Sequence, residues 1–373
     1  MVFGTRPEII KLGPVYQELM RKDIDTDVFW SGQHLEMADG LFELFDIKVK
    51  YQTYLENYSC SISEKTSEIL HHLSEIVSNT YYDWIIVQGD TITALAGAMC
   101  GFLNKIPVAH VEAGLRTYDH HSPYPEEYNR QIITLSSSIH FAPTSSSVRN
   151  LMSEGIHSED IIRTGNTVID AIRFAMTVVG DRYTPHDPDL LRIDPSKKLI
   201  LATMHRRENI GDKMEIVLNS IATLSDDGDK QILLPVHMNP EVSEMVHKIL
   251  DGKQNVLLVN PLVYTDLIYV LKKAWTVISD SGGLQEEVPS FQIHMLITRD
   301  TTERPEVVET GFGFLVDSDY NMIVNKVREL TDQDHKVRVY RDNPFGDGNS
   351  AMRIANALVS RITNDERTKC NES

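Results

Sequence analysis

Short, almost uninterrupted apolar runs alternate with helix-length amphipathic segments along most of this chain, and that alternation restricts the fold more than any other feature. Apolar stretches at Asp27–Trp30, Trp84–Gln88, Pro107–Val111 and His140–Ala142 predict strands in the first half. Lys198–Thr203, Gln231–Val236, Val256–Val259, Thr276–Ser279 and His294–Thr298 do the same in the second. Between them, Met37–Phe45, Ser63–Ser78, Thr93–Asn104 and Ser145–Glu154 carry helical periodicity. Strands that are apolar on both faces and separated by helices belong to parallel sheets covered on both sides. Such α/β sheets bind ligands at the carboxyl ends of their strands.

With 373 residues the chain exceeds one ordinary core and suits two such domains. Gly180–Lys197 gathers three prolines and several charges around little apolar content, which marks it as the expected linker. The expected division is therefore 1–175, 176–350 and a C-terminal helix and tail over 351–373. The last helix, Gly348–Ile362, could join either domain. Only Met1, Val2 and Phe3 are available for a strand before GTRPE, so that strand is very short or the chain begins late.

The net charge of −18, from 36 basic and 54 acidic residues, repels nucleic acid and anionic membranes. An anionic ligand must then be met by a few placed cations. Cys60, Cys100 and Cys370 lack metal-ligand spacing and read as reduced thiols, Cys100 within the core. No signal peptide and no membrane-length apolar run is visible, so a cytoplasmic location is expected.

Ser279–Glu287, SDSGGLQEE, follows a strand and opens a helix. Gly282 and Gly283 let backbone approach an anion, Ser281 adds a hydroxyl, and Glu287 could accept from ribose hydroxyls. Alone, SGG is more often a capped turn. GTRPEIIKL makes a second strand-to-helix junction, where Arg6 and Lys11 could meet phosphates, although a lone Lys11 is more often solvated. Arg304, beyond another strand, could reach the same phosphates or simply pair with Glu303 or Glu306.

Carboxylates recur at strand ends: Asp90 in QGDT, Glu112 in HVEAGLR, and Glu126 with Glu127 after Pro125. An acid at a helix start is usually a cap, but three acidic sites at one sheet face suit proton transfer. His205 in MHRREN follows Lys198–Thr203 and could act as acid, base or oxyanion ligand. Arg206 and Arg207 add charge, and His237 in PVHMNP is a candidate cleft residue. His71-His72 and His120-His121 have no ligand set at metal spacing. No G-x-G-x-x-G, P-loop or G-x-S-x-G motif is present.

GTRPEIIKLGPV, SGQH, QGDT, HVEAGLR, SPYPEEYNRQ, HFAPT, TGNTVID, HRREN, PVHMNP, SDSGGLQEE, RDTTERPE and NPFGDG occur together in one order. In this the chain resembles the non-hydrolysing UDP-N-acetylglucosamine 2-epimerases from residue 4 to about residue 350. The resemblance implies two Rossmann-like domains facing a cleft, the glycosyltransferase B-type architecture, usually as a homodimer. It implies interconversion of UDP-N-acetylglucosamine and UDP-N-acetylmannosamine through a glycal, with no metal or nicotinamide cofactor, in surface-polysaccharide biosynthesis. Asp90, Glu112 and Glu126 match the proton-handling carboxylates and His205 an assisting group. Arg6, Lys11, Ser281, Gly282, Gly283, Glu287 and Arg304 match UDP-binding positions.

Several bacterial members also bind a second UDP-N-acetylglucosamine as activator, and Gln33, Arg206 and His237 match that site. Glu36 and Ser59 stand where an amide and a guanidinium are expected, which weakens that match. Phe291–Met295 departs from the family pattern in a way expected to alter a turn. The rival readings are a hydrolysing or diacetamido-uronate UDP-sugar 2-epimerase, a glycosyltransferase of the same fold, and a nucleotide-sugar binder without turnover.

Overall fold

A computed structural model describes residues 1–32, 38–53, 61–204, 210–332 and 341–371, with Asp39 and residues 363–371 described in backbone only. The chain forms two compact units, Met1–Phe174 with Phe345–Ser373, and Ala175–Pro344.

In the first unit, strands β1 (Val2–Phe3), β2 (Phe29–Trp30) and β3 (Tyr51–Gln52) pair in parallel in the order β1-β2-β3. Strands β4 (Ile85–Gln88), β5 (Val108–Val111), β6 (Ile139–Ala142) and β7 (Ile161–Arg163) form a second parallel sheet in chain order. β1 lies against β4. Strand order therefore reverses between them, as at the ligand-binding switch point of a Rossmann sheet. The strand before GTRPE is two residues long, and Val2 and Phe3 are both buried.

Helix Ile92–Leu103, rich in Ala and Gly, buries Ala94, Ala98 and Cys100 in one core with Val87, Val108 and Ile133. Burial raises the pKa of the Cys100 thiol, as suits an inert core residue.

The second unit holds one parallel sheet of β8 (Lys198–Thr203), β9 (Lys230–Pro235), β10 (Val256–Val259), β11 (Thr276–Ser279), β12 (His294–Ile297) and β13 (Gly313–Leu315). Its order, β10-β9-β8-β11-β12-β13, is the 3-2-1-4-5-6 scheme of the dinucleotide-binding fold. Ile200, Ala202, Ile232, Leu234, Ile278 and Leu296 pack beneath helices Asp212–Ser225 and Tyr320–Thr331. Two Rossmann-like units of this kind are the make-up of the glycosyltransferase B type.

Gly180–Lys197, read from sequence as the linker, lies inside the second unit. The buried Asp266 carboxylate accepts from the Tyr183 hydroxyl and from the N–H groups of His186 and Asp187, tying the segment to helix Tyr264–Lys273. Helix Ser350–Asn371 packs on helix Arg6–Met20 of the first unit. It starts at Ser350 rather than Gly348: Gly348 is left-handed, with φ +69°. Asp170 accepts from the N–H groups of Ser350 and Ala351 and so caps the helix from outside.

β3, β7 and β13 were absent from the sequence reading. Each is an edge strand of two or three residues, half-exposed along most of its length, so none shows a long apolar run. In the departure at Phe291–Met295, Gln292 turns the chain with φ +56°. No helix among the described residues is long and apolar enough to cross a membrane.

Candidate functional site

Residues that the sequence places 101 positions apart meet at the carboxyl ends of the first unit's strands. Lys11, on helix Arg6–Met20, donates to Glu112 Oε2 at 2.5 Å. The Gln88 amide, from the end of β4, donates to the same oxygen at 2.5 Å. All three side chains are buried. Glu112 follows β5 with φ +66°, a left-handed conformation that a residue with Cβ adopts at a cost of about 1–3 kcal/mol. Strain held at a buried, ion-paired carboxylate is a mark of a functional position.

At the neighbouring strand end, half-buried Asp90 accepts from Arg130 Nε at 2.9 Å and lies 2.6 Å from Arg130 Nη2. Asn129 donates to the Asp90 carbonyl. Arg130 and Asn129 sit on helix Glu126–Ser136, whose first residue is the half-buried Glu126. Glu127 accepts from Arg130 and from the N–H groups of Thr117 and Tyr118. Burial alone would raise the pKa of Glu127, but those donors hold it below the ordinary carboxylate range. Burial also opposes the Arg130 charge, yet Asp90 and Glu127 keep its pKa above the usual value. The three carboxylates singled out from sequence thus lie on adjoining elements. Asp90 and Glu112 each face a buried cation, the arrangement that keeps a carboxylate ionised and ready to accept a proton.

Glu8 was not singled out from the sequence. It accepts from the Gly4 N–H at 3.0 Å and from the hydroxyls of Thr5 and Thr91, each at 2.8 Å. It therefore joins the loop after β1, where half-buried Arg6 begins its helix, to the loop that carries Asp90. Burial raises its pKa from 4.5 to about 7, against those three donors. A raised carboxyl binds its proton more tightly folded than unfolded, so this contribution to stability is complete below pH 4.5 and is lost as pH rises through about 7. The melting temperature of the wild type should accordingly fall relative to Glu8→Gln between pH 4.5 and 7. Parallel curves over that window would show that Glu8 ionises as in an unfolded chain.

In the second unit, Thr203 and Ser279 hydroxyls meet at 2.6 Å across β8 and β11, the strands that flank its switch point. Ser279 Oγ accepts the Ser281 N–H at 2.9 Å, and Ser281 caps helix Gly282–Glu287 through the Leu284 N–H. A Cβ at Gly282 would come within 2.9 Å of Arg304 Nη1, so glycine there makes room for the guanidinium. Arg304 is buried and pairs with Glu286 at 2.5 Å and Glu303 at 3.1 Å. The expected partner Glu303 is therefore present, but the contact is no surface ion pair. Gly283 is exposed, and Glu287 is buried at the end of the helix. Exposed His237 follows β9 and accepts the Asn239 N–H through Nδ1 at 3.1 Å. Gln33, Glu36, Ser59, His205 and Arg206 lie outside the described residues.

No group of three or more His, Cys, Asp or Glu among the described residues could hold a metal ion. Buried His110 and His140 face each other on β5 and β6, with pKa values lowered by burial to about 3 and 4. His110 Nε2 lies 2.9 Å from the Gly89 carbonyl beside Asp90. Gln88 had a visible signal, a polar residue ending an apolar strand. Arg130 and Glu8 had none, because their partners are distant in sequence.

The profile described as UDP-N-acetylglucosamine 2-epimerase matches residues 17–359. A UDP-N-acetylglucosamine 2-epimerase of Yersinia pestis is 42% identical over 369 residues, covering 96% of this chain and 97% of that protein. The crystal structure of the UDP-GlcNAc 2-epimerase of Neisseria meningitidis bound to UDP-GlcNAc is similar with a TM-score of 0.87. It is 37% identical, over 96% of this chain and 98% of that one. A UDP-N-acetylglucosamine 2-epimerase structure from Listeria monocytogenes gives a TM-score of 0.90 at 36% identity, over 96% and 95% of the two chains.

Proposed function

Because this chain belongs to the UDP-N-acetylglucosamine 2-epimerase family, we propose that it interconverts UDP-N-acetylglucosamine and UDP-N-acetylmannosamine by eliminating and re-adding UDP. The observation that carries the proposal is the pair of carboxylates at neighbouring strand ends, Asp90 and Glu112, each held by a buried cation. In the forward direction a carboxylate takes the C2 proton, the C1–O bond breaks and UDP leaves with the bonding electrons. The product of that step is a glycal. UDP then adds back at C1 while a proton is delivered to the opposite face of C2, so atoms and charge balance over the cycle.

Asp90, Glu112 and Glu126 are assigned to proton handling, with His205 assisting. Ser281, Gly282, Gly283 and Arg304, together with Arg6 and Lys11, are assigned to the diphosphate, and Glu287 to the ribose. The buried Lys11–Glu112 contact gives Lys11 a second task, since it also bears on the carboxylate. Cytoplasmic location, a homodimer and a role in surface-polysaccharide synthesis accompany this reading. A second UDP-N-acetylglucosamine as activator at Gln33, Arg206 and His237 is the weakest part of it. A hyperbolic rate with UDP-N-acetylmannosamine alone, without a lag, would remove that part.

Incubation with UDP-N-acetylglucosamine in deuterium oxide, followed by NMR, tests the reaction itself. Deuterium should enter C2 as the manno epimer forms. A glycosyltransferase or a passive binder would leave C2 protonated, and a hydrolysing enzyme would release free sugar. Either result would overturn the proposal.

A further inference from the structure

Glu112 sits at the end of β5 with a strained backbone, and two donors from different elements converge on one of its oxygens. Lys11 arrives from helix Arg6–Met20 and Gln88 from β4. The Lys11 ammonium supplies the charge. The Gln88 amide supplies direction: it is rooted in a strand, and the Gly89 N–H that follows bonds the Val111 carbonyl at 3.0 Å, locking the two strand ends in register. Gln88 is buried and polar, a placement that costs free energy unless the amide is used. With Oε2 held from two sides, Oε1 is the oxygen left to reach a substrate.

We propose that Gln88 is a positioning residue that, with Lys11, anchors Glu112 by Oε2 and so fixes Oε1 as the oxygen that exchanges a proton with the sugar. The proposal rests on Glu112 being a proton-handling carboxylate, as assigned above. The groups that bear on Glu112 are Lys11 from its helix and Gln88 from β4, with Asp90 and its partner Arg130 at the neighbouring strand end. The Gln88 amide donates only to the ionised form or to a carbonyl oxygen, so it favours Glu112 in the state that accepts protons.

Gln88→Met keeps the length of the side chain and deletes the donor. Gln88→Glu keeps the shape and sets a second carboxyl against Glu112. The Glu112 carboxyl, identified by comparison with Glu112→Gln, is titrated by ¹³C NMR in the ligand-free protein. Gln88→Met should move its midpoint upward by about one pH unit, and Gln88→Glu should move it further. In turnover, the acid limb of kcat should move in the same direction. kcat should fall about tenfold in Gln88→Met and more in Gln88→Glu, with KM for UDP-N-acetylglucosamine within about threefold of wild type.

An unmoved midpoint in a folded variant, or a loss confined to KM, overturns the proposal. Either variant suffices if the other does not fold. The NMR titration needs no turnover, so it stands apart from the deuterium test. A wild type that fails to exchange C2 refutes the proposed reaction, whereas a wild type that exchanges beside an unshifted Gln88→Met refutes only the role of Gln88.

Discussion

Asp90→Asn is expected to lower the rate of epimerisation and of C2 deuterium exchange by about 10³-fold, while UDP still binds with nearly its wild-type affinity. The size follows from general acid–base catalysis, which contributes on the order of 10²–10⁴-fold when the group is positioned. Asparagine preserves the shape and can still accept from Arg130, but it cannot carry a proton. Arg130 keeps its 3.1 Å contact with Glu127, whose two backbone donors hold the loop at Thr117 and Tyr118. Loss of one charge-assisted hydrogen bond in this network should cost about 1–3 kcal/mol of stability. The protein should therefore fold, and the defect should lie in kcat. Calorimetric titration with UDP checks the other half of the expectation, since the residues assigned to the diphosphate are others. Equal loss of UDP binding and of turnover would mean that Asp90 organises the unit rather than moving protons.

Gly114→Ala is the substitution expected to harm the fold most for the fewest added atoms. Gly114 has φ +91°, and a Cβ there would lie 2.4 Å from the Ser147 carbonyl oxygen and 2.9 Å from its carbon. Those are backbone atoms of helix Ser145–Ser153 and cannot rotate aside. The left-handed backbone costs an alanine about 1–2 kcal/mol, and the collision adds about 1–3 kcal/mol of overpacking. A fall of about 5–10 °C in melting temperature is expected. Epimerisation should suffer too, because the turn holds Glu112 two residues earlier. A melting temperature within 2 °C or so of wild type would show that the helix yields.

Both expectations concern a segment whose importance was visible before any coordinates, though the reasons were not. HVEAGLR showed an acid at a strand end followed by a glycine, and QGDT showed another acid one strand away. Neither string discloses that Lys11 and Gln88 meet on Glu112, or that Arg130 reaches back 40 residues to Asp90. The Ser281 loop behaves alike: its turn and cap are local, whereas the burial of Arg304 against Gly282 and Glu286 is not.

By itself, the sequence determined the α/β class, most of the parallel strands, the placing of acids and glycines at strand ends, and the family. These properties follow from hydrophobic periodicity, turn chemistry and local motif order, each readable within a few residues. Only the tertiary structure decided the reversal of strand order at β1 and β4 and at β8 and β11. It also decided which cation holds which carboxylate, and that Glu8 links two loops. Pairing order and long-range ion pairs are set by the packing of whole layers, and no local pattern in the chain records which strand will lie beside which.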